Sequence, residues 1–520
     1  MARRPRPGNP GQGREEKMSE RRSRWVLSVG TALLCLGWSV ARAGQDVQIG
    51  DARLQWSGYL RQYLSVNLED QPDRLADGST LGGQGELSMA RTSLLLKGSL
   101  DFGVFRIFSI GRWSREAETD YLDDLSDSSG VDLVDDVYDE NELRELFVEF
   151  GLGERWNFRL GKQQVVWGET DFFQAGDIIH GFDQTWRSFF EPENEEWRKP
   201  LILANVEIAI PELDGSLQLI YRPGWDDDDD LGNSLDVFGG RWAAQGSRGA
   251  NTLALFPYNY EHNRGDSDDA SYGFRWSGFG FDLAYSIYYY HTLNQEQVLN
   301  FIANPYGDAP LNGFGEFIFP QIDIIGGTAT GYISAIDSVW RAEVAYTLDK
   351  PYNYGFAGTP FAGTAGVIEE DTARLMLGLD MALRQFGDGT SSPWQLSFQL
   401  FDSWIPGFDG SDGIIDIVTA KKKEHSITAT VLLAMNFKHD SISPSIAFLH
   451  DVSYGGGAFV PAIDYKPGDH WRLRLEADLF YKSGNTCSTN PATGAGLICT
   501  HAFGTLDNSD QLLARITYQF

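Results

Sequence analysis

Cysteine is nearly absent from this chain: Cys35, Cys487 and Cys499 are the only three in 520 residues. That leaves room for one disulfide at most once any N-terminal leader is gone, and excludes a disulfide-built scaffold. Long apolar runs are missing as well. Beyond residue 43 no stretch approaches the roughly 20 apolar residues of a spanning helix, so a bilayer could be crossed only by a closed barrel, in which every backbone N–H and C=O is paired. Positive charge is scarce: 42 Lys and Arg stand against 73 Asp and Glu, for a formal charge of -31. Nucleic acid is thereby excluded as a partner, because Lys and Arg must neutralise its phosphates. Catalytic signatures are lacking too, with no G-x-S-x-G elbow and no H-E-x-x-H zinc helix. His450, Asp451 and Ser453 have the right residue types for nucleophilic catalysis, but adjacent strand residues point to opposite faces. No enzyme activity and no cofactor are expected.

What is present begins with a leader. Arg21, Arg22 and Arg24 precede an apolar run from Trp25 to Val40, and Ala41-Arg42-Ala43 follows. A basic segment, a short apolar segment and an A-x-A site read as a secretory signal over residues 1–43, cut between Ala43 and Gly44, with Met18 a possible start. Ser28, Gly30 and Gly37 interrupt the run and argue against an anchor, and Cys35 lacks the small residues before it that a lipoprotein signal needs. Residues 1–43 hold nine basic and three acidic side chains, a surplus of six positive charges, so their removal takes the chain from -31 to -37.

The last ten residues carry the strongest pattern. Leu512, Ala514, Ile516, Tyr518 and Phe520 share one face, and Gln511, Arg515, Thr517 and Gln519 the other, with Leu513 the exception. Period-two alternation ending in a C-terminal Phe reads as the final strand of a bacterial outer-membrane barrel, apolar face to lipid and polar face to lumen. Trp471, Leu473, Leu475, Ala477, Leu479 and Tyr481 alternate in the same way with Arg472, Arg474, Glu476 and Asp478, and an aromatic stands at each end of the apolar face. Similar runs recur around residues 53–66, 281–287, 373–380 and 426–433.

Connections alternate between long and short. Segments 69–86, 116–141, 167–199, 223–270, 291–321, 349–370, 403–424 and 482–509 are long and polar; between them lie short turns such as 101–103, 151–154, 211–215, 278–280 and 438–441. This is the pattern of long extracellular loops and short periplasmic turns. One all-β unit over residues 44–520 follows, a single antiparallel transmembrane barrel of about 18 strands, or 16 if Pro461 keeps 458–465 out of the sheet. Cys487 and Cys499 fall in the last long loop, where a disulfide would close a small ring worth about 3 kcal/mol.

Acid is concentrated in the loops, including 116–142 and the five consecutive aspartates Asp226 to Asp230. Repulsion keeping solvated loops soluble explains this, and divalent-cation binding is the competing reading. Alternation places Arg53, Arg61, Arg159, Arg341, Arg374, Arg472, Arg474 and Arg515 in the lumen, with Glu207, Asp282, Glu343, Asp380, Glu476 and Asp478. Such charges either set the selectivity of a pore or brace its wall in pairs across neighbouring strands.

Residues Phe158 to Asp183 read F-R-L-G-K-Q-Q-V-V-W-G-E-T-D-F-F-Q-A-G-D-I-I-H-G-F-D, and His450-Asp451-Val452 follows near the third-last hairpin. Together these resemble a proteobacterial, Gram-negative outer-membrane β-barrel family of unknown function, the domain-of-unknown-function 1302 type, porin-like. Gly181-Phe182-Asp183 departs from the family pattern, which has Asn/His-Pro there. The resemblance implies a barrel over nearly the whole mature chain. It also implies a role in moving lipidic or hydrophobic compounds, since members are often encoded beside RND-type exporters and a periplasmic carrier.

Read from the residues, Lys162, Gln163, Gln164, Trp167 and Glu169 end a strand and open a long loop. Folded inward, that loop sets Glu169, Asp171 and Asp177 in the pore as a constriction beside Arg159 and Lys162; folded outward, it caps the barrel. Asp177, His180 and Asp183 have metal-ligand residue types, but the spacing is weak and no metal is expected. The chain is thus expected in the outer membrane as a channel or translocator for small or amphipathic solutes. A plugged barrel working with a periplasmic carrier and an RND-type exporter, or a structural or adhesive barrel, are the alternatives. Expected partners are outer-membrane lipid and lipopolysaccharide, and the barrel-assembly machinery through Tyr518 and Phe520.

Overall fold

A computed structural model describes residues 46–520 apart from 172, 189, 356–363, 416–420, 484–486, 490–496 and 500; the expected signal segment and its cut at Ala43 and Gly44 lie outside the described residues. Eighteen antiparallel strands form the wall. They are β1 (Ala52–Asn67), β2 (Leu87–Asp101), β3 (Arg106–Glu116), β4 (Glu140–Leu152), β5 (Trp156–Gln163), β6 (Leu201–Ile210), β7 (Gly215–Arg222), β8 (Ser271–Gly280) and β9 (Leu283–Leu293). The second half comprises β10 (Gln321–Ile333), β11 (Ser338–Tyr354), β12 (Gly366–Leu383), β13 (Trp394–Trp404), β14 (His425–Ala434), β15 (Ile442–Asp451), β16 (Gly457–Tyr465), β17 (Trp471–Tyr481) and β18 (Gln511–Gln519). Each strand pairs with its neighbours in sequence. The ring closes where β1 meets β18, in a ladder from Tyr59 opposite Gln519 to Asn67 opposite Gln511. Phe520 finishes that seam by exchanging two backbone hydrogen bonds of 3.0 Å with Gly58. The eighteen-strand wall thus closes on itself, as lipid requires.

The segment 458–465, doubtful because of its proline, is β16. Its ladder with β15 runs straight through Pro461. On the β17 side pairing passes from Phe459 opposite Leu479 directly to Ala462 opposite Glu476. The ring nitrogen cannot donate, and the gap falls where the missing donor is needed.

Connections after odd-numbered strands are long, with one exception: residues 452–456 between β15 and β16 make only a tight turn. Connections after even-numbered strands are short, apart from the ten residues 384–393 between β12 and β13. The tightest is Phe281-Asp282, where both residues have positive φ, 55° and 60°, as a two-residue hairpin requires. Asp282 therefore sits in a turn at the end of the barrel and does not line the lumen. The acidic segment between β3 and β4 is also more than a solvated loop. It holds a helix, α1 (Asp120–Ser129), whose N-cap Thr119 accepts from the Leu122 N–H and whose C-cap Gly130 is left-handed. Tyr121, Leu122 and Leu125 on α1 are buried against Tyr63, Met89 and Leu513, which point inward from β1, β2 and β18.

The outer surface carries exposed Leu, Ile, Val and aromatic side chains, with Trp156, Trp471 and Tyr465 toward the short-turn end. Trp471 packs edge-on against Tyr518 at 5.0 Å, and Tyr481 stacks near His450 and Phe448 at the other end of the band. No helix among the described residues is long and apolar enough to cross a membrane. The strands do the crossing.

In the last loop a short ladder sets Cys487 opposite Cys499. Facing residues of an antiparallel pair have Cα atoms about 4.5–5.5 Å apart, within the span of a disulfide. We therefore expect the mature protein, unfolded without reductant, to release no free thiol to a thiol reagent and two after reduction. Two thiols without reductant would show the pair is open.

Candidate functional site: a loop that fills the lumen

The 164–200 connection between β5 and β6 turns inward and fills the barrel. Its first part is anchored by burial. Val165, Trp167, Ile178 and Ile179 pack on Leu201 and Leu203 of β6, Ile220 of β7, Tyr288 and Tyr290 of β9, and Ile322 and Ile324 of β10. Those wall residues point into the barrel, yet they are apolar because the loop, not water, covers them. Trp167 is fully buried and donates its indole N–H to Gln218 at 2.8 Å.

From there the segment crosses to the far wall. Glu343 of β11 accepts from the backbone N–H groups of Glu169 and of Gly176, the latter at 2.8 Å. A Cβ at Gly176 would stand 2.9 Å from that carboxylate and would push it aside. Thr330 donates to Glu169 at 2.5 Å, and Arg341, itself paired with Asp380, donates to the Glu169 carbonyl. Asp171 takes Arg341 at 3.1 Å and Gln399 of β13 at 2.8 Å.

The third part crosses again, to the seam. Arg187, fully buried, ion-pairs with Glu191 at 2.9 Å and with Glu476 of β17, and lies 3.9 Å from Asp478. Glu191 and Glu193 both pair with Arg515 of β18, at 2.8 and 2.6 Å. Arg61 of β1 lies 3.6 Å from Glu196, which also accepts the Tyr59 hydroxyl at 2.7 Å. Arg474 completes the wall by bridging Asp464 and Glu476. Burial opposes ionised Glu191, but hydrogen bonding to Glu193 and the guanidiniums of Arg515 and Arg187 hold it below the usual carboxylate range. Burial and the Glu191 charge push Glu193 up to about 7.

On its return the loop binds itself. Asp177 pairs with Arg198 at 2.6 Å. His180 accepts the Val165 N–H on Nε2 at 2.8 Å, and Nδ1 lies 2.9 Å from the Lys199 carbonyl, to which it donates. Both ring nitrogens are thus taken by backbone. Asp183 caps Thr185. The three residues do not converge on a metal seat, and among the described residues no group of three or more His, Cys, Asp and Glu is placed to hold one. Nor do His450, Asp451 and Ser453 meet: His450 contacts the Tyr481 hydroxyl on the outer face, Asp451 is buried inside, and Ser453 donates to a backbone carbonyl.

A second loop roofs the first. Arg241, in the 223–270 connection, pairs with Glu116 at 2.7 Å and donates to the carbonyls of Trp186 and Ser88. The aspartate run is likewise engaged, Asp226 with Arg222 and Asp230 with Lys162, both at 2.6 Å. Lys162 therefore departs from the expected lumen wall. Its register partners Leu146 and Ile202 belong to the lipid-facing set, and its ammonium serves as a tie to the roof. Arg159 keeps the inward parity and reaches Glu149. Arg374 lines a small cavity of about 10 Å³ with Glu296 and Lys350, room for about one water. Arg472 and Arg53 stand exposed near the short-turn mouth, and Glu207 faces the lumen there.

Among the loop's described side chains, Val166, Asp171, Pro192 and Glu195 are the exposed ones. Arg187, Glu191, Arg198 and Arg241 were not anticipated as site residues. The Arg187–Glu191 spacing and the aromatic density of 167–197 were the available signals.

Two outcomes follow. Arg187→Ala leaves Glu191 and Glu476 buried without their partner and lowers unfolding stability by about 3–5 kcal/mol, read from denaturant titration of the micellar protein; an unchanged midpoint would deny the network its structural role. Burial and the Arg198 charge push His180 down to about 3 from its ordinary 6.5. The unfolded chain then binds the proton first, so this group's contribution is intact above about 6.5 and is lost as pH falls toward 3. His180→Gln should flatten the acid-side slope of stability by up to one proton; an identical slope would show that His180 does not titrate there.

Three solved barrels are similar in overall form. They are Salmonella typhi OmpF in complex with daunomycin (11% identity, 92% of this chain and 100% of that one, TM-score 0.42), Acinetobacter baumannii OccAB1 (11%, 93% and 98%, 0.45) and the Acinetobacter baumannii outer-membrane channel DcaP (10%, 92% and 100%, 0.42). No curated protein sequence matches. Residues 25–520, from the expected leader through the lumen-filling loop to the closing strand, match a single family model, and the chain belongs to the family described as Protein of unknown function (DUF1302).

Proposed function

We propose that this protein is a gated outer-membrane translocator, whose 164–200 loop closes the barrel at rest and must shift for small or amphipathic solutes to pass. The observation that carries this reading is the loop's three-point attachment: to β6–β10 by apolar packing, to β11–β13 through Glu343 and Arg341, and to β17, β18 and β1 through Arg187, Glu191 and Glu193. An eighteen-strand wall encloses an aqueous channel unless something fills it. Here side chains of the loop take the wall's charges, so those charges brace a closed state and do not line a free path. Adhesion alone would need the outer loops and no such filling. Exposed inward-facing wall residues remain on the short-turn side, including Gln55 and Ser57, and on this reading that end is where a periplasmic carrier would deliver or receive cargo.

Planar-bilayer recording tests the gate. Wild-type protein is expected to give little steady conductance at neutral pH. Replacing residues 168–196 with a short Gly-Ser linker should give a large ohmic pore, and Arg187→Ala should give intermittent openings. A large, steady conductance from the wild-type chain would defeat the gated reading.

A further inference from the structure

The seam between β1 and β18 holds two guanidiniums that meet no carboxylate of the wall. Arg91, Arg112 and Arg474 on neighbouring strands find theirs in the wall itself, at Glu140, Glu142 and Glu476. Arg61 and Arg515 do not. Among the described residues their ion-pair partners are Glu191, Glu193 and Glu196, all from the loop. The register sets Arg61 opposite Thr517 and Arg515 opposite Tyr63, which makes the two arginines diagonal neighbours on the inner face. Both are buried, and Arg61 also donates to the Tyr63 hydroxyl at 3.0 Å.

Three loop carboxylates thus crowd two wall cations. Glu191 and Glu193 share one nitrogen, Nη1 of Arg515, at 2.8 and 2.6 Å. Glu191 is buried and is also held by Arg187 at 2.9 Å, whereas the Glu193 side chain is 41% exposed. Glu193 alone meets Arg515 as a fork, its Oε1 accepting from Nη2 at 3.0 Å, the planar match that a guanidinium offers a carboxylate. Like charges on one donor weaken each other's hold, so Glu193 is the replaceable member. Without it Arg515 keeps Glu191 and Arg61 keeps Glu196. The place is reached from the short-turn side. Along the inner face of β1, Gln55 and Ser57 are exposed and Tyr59 and Arg61 are buried, so the loop's cover begins at this spot.

We propose that Arg515, with Arg61 and Tyr59 beside it, seats the carboxylate of a monoanionic solute, and that Glu193 stands in for that carboxylate while the barrel is shut. A phosphate monoester brings a second negative charge, which Glu191 and Glu196 repel. Seating the solute releases one of the loop's ties to the seam. The inference rests on the gated reading and names the class of solute the gate admits.

Calorimetric titration of the full micellar chain with hexanoate, at a pH above 7 where Glu193 is ionised, tests the seat. Glu193→Ala should bind one hexanoate per chain, about tenfold or more tighter than the wild type, whose own Glu193 competes. Glu193→Gln, which keeps the side chain's shape, should gain less. Glu195→Ala, which removes the neighbouring exposed carboxylate of the loop, should bind as the wild type does. Adding Arg515→Lys to Glu193→Ala keeps the charge beside Glu191 but removes the fork, and should weaken binding about tenfold. No saturable site in either Glu193 variant, no loss with Arg515→Lys, or hexanol or hexyl phosphate binding as tightly as hexanoate would each overturn the seat. Calorimetry needs no current, so a steadily conducting wild type would overturn the gate alone, and failed hexanoate binding the seat alone.

Discussion

The buried guanidinium of Arg187 is the contact on which the lumen's organisation turns. A charge held away from water persists only when opposite charges surround it. Arg187 gathers Glu191 from its own loop and Glu476 and Asp478 from the wall, and Glu191 in turn takes Arg515. Loop and barrel are thereby made mutually dependent. The strands supply carboxylates that would crowd one another in an empty lumen, and the loop supplies the cation that sits between them.

The same logic explains the two kinds of inward surface. Near β6–β10 the wall points apolar residues inward, because Trp167 and Ile178 cover them. Near β11–β13 and β17–β1 it points charges inward, because the loop brings charges to meet them. A barrel filled by its own chain need not be polar inside, and this one is polar only where the filler is.

The barrel itself was legible in the sequence. Alternation in residues 471–481 and 511–520 gives the correct faces, since side-chain direction in a strand depends on parity alone. The long and short connections gave the hairpin order and, with 458–465 counted, the number of strands. What parity cannot give is a partner. Arg187 and Glu476 lie 289 residues apart, and nothing local to either names the other. Lys162 misleads for a related reason: it follows the inward Arg159 by three positions, so it belongs to the opposite face, and only the fold of the 223–270 loop shows that Asp230 waits there. The acidic 116–142 stretch reads as solvated until Thr119 is seen to cap a helix whose apolar side enters the barrel mouth.

The position of Glu191, Glu193 and Glu196 bears on how the ring is shut. The joint between β1 and β18 brings together the two ends of the chain, and these three carboxylates hold Arg515 on one side of it and Arg61 and Tyr59 on the other. The filler thus works as an internal clasp across the last ladder to zip. Docking of the loop and closure of the wall become one cooperative event, and a chain lacking its clasp would close more slowly and part more readily at that joint than anywhere else on its circumference.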